Sequence, residues 1–293
     1  MGNALQTMKR EHDYLVCIDS DGCAFDTMEI KHKECFIPNT INYWNLQAVS
    51  KYAREAAEYV NLYSKFRGVN RFPALLEVLD LLGDREECVR RGYTVPDVQS
   101  LRDWSKTETK LGNPALIAYC EKHPEDAVMQ QAKEWSVAVN DTVAKIVHGV
   151  PPFPFVRECL AAVSEKADVI VVSATPTDAL EREWKEHAID QYVKVICGQE
   201  MGTKAQCIEQ AMQLGYAPEH VLMIGDAPGD QKAAKKNGCL FFPINPGEEE
   251  DSWESFLNTY MDMFLSDTYA GEAEADRISV FDGFLPSVPP WKK

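Results

Sequence analysis

Asp19 and Asp21 stand one residue apart, directly after the apolar run Tyr14-Leu15-Val16-Cys17-Ile18. In extended chain their side chains project to the same side. Two carboxylates that close do not both stay ionised without a cation or a shared proton. A hard divalent ion such as magnesium resolves the repulsion. Three distant segments carry compatible chemistry. Ser173 follows the apolar residues 169–172 and leads into Thr175, Pro176 and Asp178, which read as an N-cap, a first-turn proline and a capping-box acid. A helix N-terminus beside a hydroxyl is a ready phosphate site. Lys204 opens another helical stretch and sets one ammonium among several carboxylates. Asp226 follows the apolar residues 221–224 and is placed to complete an oxygen site, with Asp230 facing back from a first helical turn. A nucleophile, an acid/base, metal-binding oxygens, donors for phosphoryl oxygens and a cation together suit phosphoryl transfer.

Asp19, Ser173 and Asp226 each stand at the end of a strand-length apolar run. Strands are expected at 14–18, 168–172, 193–197, 221–224 and 240–244. Helices are expected at 155–165, 178–187, 204–214 and 228–237, the last closed by Gly238. This alternation predicts an α/β protein with a doubly wound parallel sheet covered on both faces. Ligands in such sheets sit beyond the carboxyl ends of the strands, where these polar residues fall. Residues 28–150 lack strand patterning and carry helical stretches at 46–66, 73–82, 96–107, 113–122 and 124–147. They read as a helical insertion that returns through the stiff Val150-Pro151-Pro152-Phe153-Pro154. The expected organisation is an α/β core from residues 1–27 and 151–293 and a helical domain from 28–150. After Pro246 the chain reads as an acidic run at 248–251, one helix at 253–265 and an irregular Pro-rich end.

Asp19-Ser20-Asp21-Gly22-Cys23-Ala24-Phe25-Asp26-Thr27 resembles the first motif of the haloacid dehalogenase (HAD) superfamily, Asp-x-Asp-Gly-Thr-Leu-x-Asp-Ser. Ser173 resembles the second motif and Lys204 the third. Gly225-Asp226-Ala227-Pro228-Gly229-Asp230 resembles the fourth, Gly-Asp-x-x-x-Asp. The helical insertion sits where the C1-type cap of that superfamily belongs, as in phosphoglycolate phosphatase and beta-phosphoglucomutase-like members. The resemblance implies a HAD-like Rossmannoid core with an inserted α-helical C1 cap. It further implies a magnesium-dependent phosphohydrolase for a small phosphorylated metabolite. On this reading Asp19 attacks phosphorus and becomes an aspartyl-phosphate. Asp21 protonates the leaving oxygen and then deprotonates water. Ser173 and the amide of Ala174 hold the phosphoryl group, and Lys204 neutralises and orients Asp19. Magnesium is held by the Asp19 side chain, the Asp21 carbonyl and Asp226, with Asp230 in support through water. Cys23 and Ala24 depart from the usual Thr and Leu, which points to altered packing near the turn. A phosphomutase shares the whole set. Cleavage of a carbon–phosphorus bond needs an imine-forming lysine, for which Lys31 and Lys33 stand nearby. A non-catalytic phosphate-binding protein is a further alternative.

Net charge is −16, from 46 acids against 30 bases with no long basic run. Such a chain repels a phosphate backbone and anionic lipid, so neither nucleic acid nor membrane is an expected partner. No apolar stretch reaches membrane length, and residues 1–14 lack the apolar core of a leader. Met1-Gly2-Asn3 begins like a myristoylation site, but Gln6 stands where Ser or Thr belongs. The expectation is a cytoplasmic monomer or homodimer. Nine scattered cysteines without a CxxC pair read as reduced thiols. Within the helical insertion, Phe66-Arg67-Gly68-Val69-Asn70-Arg71 sets two arginines about a glycine turn. Arg67, Asn70 and Arg71 are therefore candidate contacts for an anionic substrate, against the plainer reading of a solvated loop.

Overall fold

The structure, a computed structural model, describes residues 4–292. The Met1-Gly2-Asn3 start lies outside them. Strands β1 (Tyr14–Ile18), β2 (Ala167–Val172), β3 (Val195–Cys197), β4 (Val221–Gly225) and β5 (Leu240–Pro243) form one sheet in the order β3-β2-β1-β4-β5. Every pairing is parallel, and Cys17 of β1 lies level with Ile170 of β2 and Met223 of β4. The apolar runs are continuous because helices cover both faces. Alternate residues serve opposite faces. Val16, Ile18, Val169, Val171 and Ile224 pack with Leu160, Trp184 and Trp253, whereas Leu15, Cys17, Ile170, Val172 and Met223 pack with Ile208, Ala234 and Phe281. This register brings the carboxyl ends of β2, β1 and β4 side by side. Among the described residues no helix is long and apolar enough to cross a membrane.

The chain divides into two compact units. One holds the sheet and comprises the residues up to Met28 together with Gly149–Leu285. The other is helical and comprises Glu29–His148 and the residues from Pro286 onward. The last segment was expected with the α/β core and belongs instead with the helices. Its attachment is specific: the Trp291 ring lies edge-on to Tyr59 at 5.6 Å, and the Arg85 guanidinium sits 4.6 Å from the Trp291 ring and 4.4 Å from that of Tyr52. Tyr59 Oη donates to the Pro286 carbonyl at 3.1 Å, and Lys292 pairs with Asp84 at 3.0 Å.

Residues expected to be irregular form the helix Glu272–Phe284. The prolines at 286, 289 and 290 all lie beyond it. Phe281 packs against Phe241 of β5 at 5.8 Å, and the Glu274 carboxylate accepts from the Phe241 amide at 2.8 Å. The helix expected at 253–265 is two shorter ones, Glu249–Ser255 and Met261–Leu265, joined by a wider turn.

The helical unit is built from Ile37–Tyr43, Ser50–Asn61, Arg71–Gly83, Gln99–Thr107, Asn113–Lys122 and Ala127–Ile146, with shorter turns between them. Its core centres on Phe72, which lies edge-on to Trp104 at 5.0 Å and to Trp135 at 6.1 Å. All nine cysteines are buried, and none forms a disulfide.

Candidate active site

Asp19 extends β1 by one residue, its amide donating to the Ile224 carbonyl at 3.0 Å. The side chain is only 8% exposed. The Ser20 amide donates to Oδ1 at 2.7 Å, and Lys204 Nζ donates to Oδ2 at 2.5 Å. The chain then turns sharply, with Gly22 at φ 75°, a left-handed conformation that favours glycine. The Ser20 carbonyl accepts from the amides of Ala24 at 2.9 Å and Phe25 at 3.0 Å. This tight loop fixes Asp21. Thr27 Oγ1 donates to its Oδ1, and Thr175 Oγ1 donates to its Oδ2 at 2.6 Å.

Lys204 is the first residue of the helix Lys204–Met212, which is capped by Thr203 and Gln206 in a capping box. Besides Asp19, its ammonium donates to Asp230 Oδ1 at 2.5 Å. Asp226 follows β4, and Asp230 lies in the first turn of the helix Pro228–Asn237, where its Oδ2 accepts from the Ala227 amide at 3.1 Å. Both carboxylates are buried. Gly225 makes room for this arrangement, since a Cβ there would lie 2.5 Å from the Asp230 Cβ, Cγ and Oδ2. Asp230 is short and held at both oxygens, so it has little freedom to yield. Gly225→Ala is expected to destabilise the protein by about 1–3 kcal/mol through overpacking, read as a lowered Tm. An unchanged Tm with unchanged activity would contradict this packing.

Burial pushes the Asp19 carboxyl up to about 6, with Lys204 pulling it down and Asp230 and Asp21 pushing it further up. Burial, opposed by Lys204 and aided by Asp226, also raises Asp230. Burial alone would lower Lys204, but the facing carboxylates Asp19 and Asp230 hold its ammonium above the usual lysine range. Carboxylate oxygens of Asp19, Asp226 and Asp230 lie within 4.8 Å of one another. Three buried acids against one lysine leave an excess of negative charge on a hard oxygen set. That donor set fits a divalent cation such as magnesium.

Ser173 follows β2 and is buried. Its amide donates to the Cys197 carbonyl at 2.9 Å, and its Oγ accepts from the Thr175 amide at 3.2 Å. Ala174 is exposed. The sequence pattern makes Thr175 the cap of the next helix. The structure assigns it differently: the helix is Thr177–Glu186, Pro176 holds the cap position without a side-chain hydrogen bond, and the Thr175 hydroxyl is given to Asp21. Sequence reasoning therefore missed two site residues, Thr27 and Thr175. Both lie inside motif segments, and their proximity to Asp21 in space was the missing signal. Around them, Trp184 Nε1 donates to Ser20 Oγ at 3.0 Å and Trp253 Nε1 to the Cys23 carbonyl at 2.8 Å. The Cys23 thiol donates to the Ile224 carbonyl at 3.6 Å, and burial pushes it well above the usual thiol range.

Arg67, Asn70 and Arg71 belong to the helical unit and have partners there. Arg67 is buried and donates to the Leu62 carbonyl at 2.8 Å. Asn70 caps the helix Arg71–Gly83, accepting from the Phe72 amide at 3.1 Å. Arg71 Nη1 donates to the Ser136 carbonyl at 3.2 Å, Ser136 Oγ at 3.0 Å and Asn140 Oδ1 at 2.7 Å. Lys33 pairs with Glu29 and lies 5.9 Å from the Tyr63 ring centre.

The carboxyl edge of the parallel sheet thus gathers two aspartates of one turn, a serine, a lysine and two further aspartates. The sequence model of the haloacid dehalogenase-like hydrolases matches residues 103–244, a span that holds Ser173, Lys204, Asp226 and Asp230. It is 29% identical over 203 residues to a 5'-nucleotidase of Pseudomonas aeruginosa, covering 62% of this chain and 87% of that protein. Similar solved structures include the hydrolase YfnB of Bacillus subtilis bound to magnesium, with TM-score 0.48 and 11% identity over 85% of this chain and 100% of that one. Another is a haloacid dehalogenase-like hydrolase of Streptococcus pneumoniae, with TM-score 0.46 and 16% identity over 83% and 90%.

Proposed function

We propose that the chain is a magnesium-dependent phosphomonoesterase that acts on a small phosphorylated metabolite through an aspartyl-phosphate on Asp19. The observation that carries this reading is the buried Asp19 carboxylate, oriented by the Ser20 amide at 2.7 Å and Lys204 at 2.5 Å among the oxygens of Asp226 and Asp230. An Asp19 oxygen attacks phosphorus while the bond to the leaving oxygen breaks. Asp21 gives that oxygen its proton. In the second half, Asp21 takes a proton from water, whose oxygen attacks the same phosphorus, releasing inorganic phosphate and restoring Asp19. Ser173 Oγ and the Ala174 amide donate to the phosphoryl oxygens, and Lys204 balances the charge on Asp19. Asp19, the Asp21 carbonyl and Asp226, with Asp230 in support, would hold magnesium, which would supply charge neutralisation for the transferring group.

Phosphate release is the direct test, measured over sugar phosphates, phosphoglycolate and nucleoside 5'-monophosphates. The last class enters because a relative is a 5'-nucleotidase. The expected result is turnover of at least one class with magnesium, loss of that turnover in EDTA, and recovery when magnesium is returned in excess. Full activity in the chelated enzyme would remove the metal from the mechanism. Silence across the whole panel would remove the phosphatase reading.

A further inference from the structure

The loops that follow β2 and β3 are stitched together. The Ser173 amide donates to the Cys197 carbonyl at 2.9 Å, and the Gln199 amide donates to the Thr175 carbonyl at 3.0 Å. Gly198 comes so close that a Cβ there would lie 2.4 Å from the Thr177 amide nitrogen. Glu200 adds a side chain to the seam. Its Oε2 accepts from the Thr177 amide at 3.0 Å and from Thr177 Oγ1 at 2.9 Å. Burial raises the Glu200 carboxyl, but hydrogen bonds led by the one from the Thr177 amide hold it below the usual glutamate range.

These bonds bear on Asp21. Thr177 opens the helix Thr177–Glu186, and Pro176 before it gives no side-chain cap. A first turn left so has amides without partners. Glu200 supplies one acceptor from 23 residues further along the chain, and its negative charge suits the positive end of the helix. Thr175 lies just outside that helix. Its amide donates to Ser173 Oγ at 3.2 Å, its carbonyl takes the Gln199 amide, and its hydroxyl donates to Asp21 Oδ2 at 2.6 Å. Ser173 is tied to the end of β3 by its own amide, and Lys204 is placed by the capping box of Thr203 and Gln206. Neither needs Glu200. Thr175 does, because the residue beside Glu200 holds its carbonyl.

We infer that Glu200 is a positioning residue for Asp21. It pins the turn at 199–201 to the amino end of the helix Thr177–Glu186, so that the Gln199 amide keeps the Thr175 carbonyl and the Thr175 hydroxyl keeps its aim at Asp21. The part of Asp21 as proton donor rests on the phosphatase reading; the pinning itself does not.

Glu200→Ala removes the acceptor, whereas Glu200→Gln keeps an oxygen for both Thr177 donors. The measurement is kcat/KM, which covers binding and the phosphorylation of Asp19 but not the water step. In Glu200→Ala an alkyl phosphate, whose leaving oxygen needs the proton, should lose about 5–10-fold, the worth of one hydrogen bond. p-Nitrophenyl phosphate, whose phenolate leaves unprotonated, should stay within about twofold of the parent. Glu200→Gln should bring the alkyl ester back to within about twofold of the parent. Added to Thr175→Val, Glu200→Ala should cost less than about twofold more, since the group it acts through is already gone. An equal loss on both esters, a Gln variant as impaired as the Ala one, or losses that multiply in the double variant would each overturn the inference. Should the unmodified protein hydrolyse no ester, the phosphatase reading fails, and amide hydrogen exchange still reads the pinning. The Gln199 amide should then lose about 10-fold in protection in Glu200→Ala and keep it in Glu200→Gln. Unchanged protection in Glu200→Ala overturns the pinning.

Discussion

Asp19→Asn is expected to lower kcat by about 10⁴-fold or more while the far-ultraviolet circular dichroism stays that of the parent. Asn has the shape of Asp and keeps an oxygen for the Ser20 amide, which donates at 2.7 Å. Its amide nitrogen, however, has no electron pair fit to attack phosphorus. The same substitution changes stability in a way that depends on pH. Burial raises the Asp19 carboxyl from 3.8 to about 6. A carboxyl raised on folding stabilises the native state in its protonated form. That contribution is complete below the unfolded value and is lost as pH rises through about 6, to the order of 2–3 kcal/mol. Without metal, the parent protein should therefore lose more Tm than Asp19→Asn as pH is raised through that range. Retained turnover in the variant would remove Asp19 from the chemistry. Parallel Tm profiles would show that its ionisation does not load the fold.

Asp21→Asn should show a loss that depends on the leaving group. With an alkyl phosphate the leaving oxygen needs a proton, and kcat should fall about 10²–10⁴-fold. With p-nitrophenyl phosphate the phenolate leaves unprotonated, so Asp19 is still phosphorylated and the water step becomes limiting. Nitrophenolate should then be released in a burst close to one equivalent per enzyme, followed by a slow steady rate. The two hydroxyls on Asp21, from Thr27 and from Thr175 at 2.6 Å, aim its carboxylate. Thr175→Val should reproduce the leaving-group dependence more weakly, and Thr175→Ser should restore it. An equal loss on both esters with no burst would mean that Asp21 serves structure alone.

The sheet and its reactive edge were readable because β1, β4 and residues 169–172 of β2 are unbroken apolar runs that stop at Asp19, the Gly225-Asp226 step and Ser173. Gly225 explains part of the fourth motif, since only glycine leaves space for Asp230. Thr175 was misread because a threonine before proline has the same local pattern whether it caps a helix or serves a partner 154 residues away. The helix Glu272–Phe284 carries charge around most of its surface and owes its place to Phe281 and Glu274 meeting Phe241, contacts that local periodicity does not encode. Trp291 likewise belongs with the helical unit through Arg85 and Tyr59, more than 200 residues earlier. Arg71 was singled out by residue type, but its partners Ser136 and Asn140 lie on a helix distant in sequence.

The nine sealed thiols turn the molecule into its own unfolding reporter. A thiol reagent reaches a buried sulfur only when the surrounding structure opens, so modification rates measure opening rather than intrinsic reactivity. Cys35, Cys88 and Cys120 report on the helical unit, and Cys17, Cys23, Cys159, Cys197, Cys207 and Cys239 on the sheet-bearing one. Mass-resolved labelling in denaturant thus reads out whether the two halves of the chain melt together or in turn, without any engineered probe.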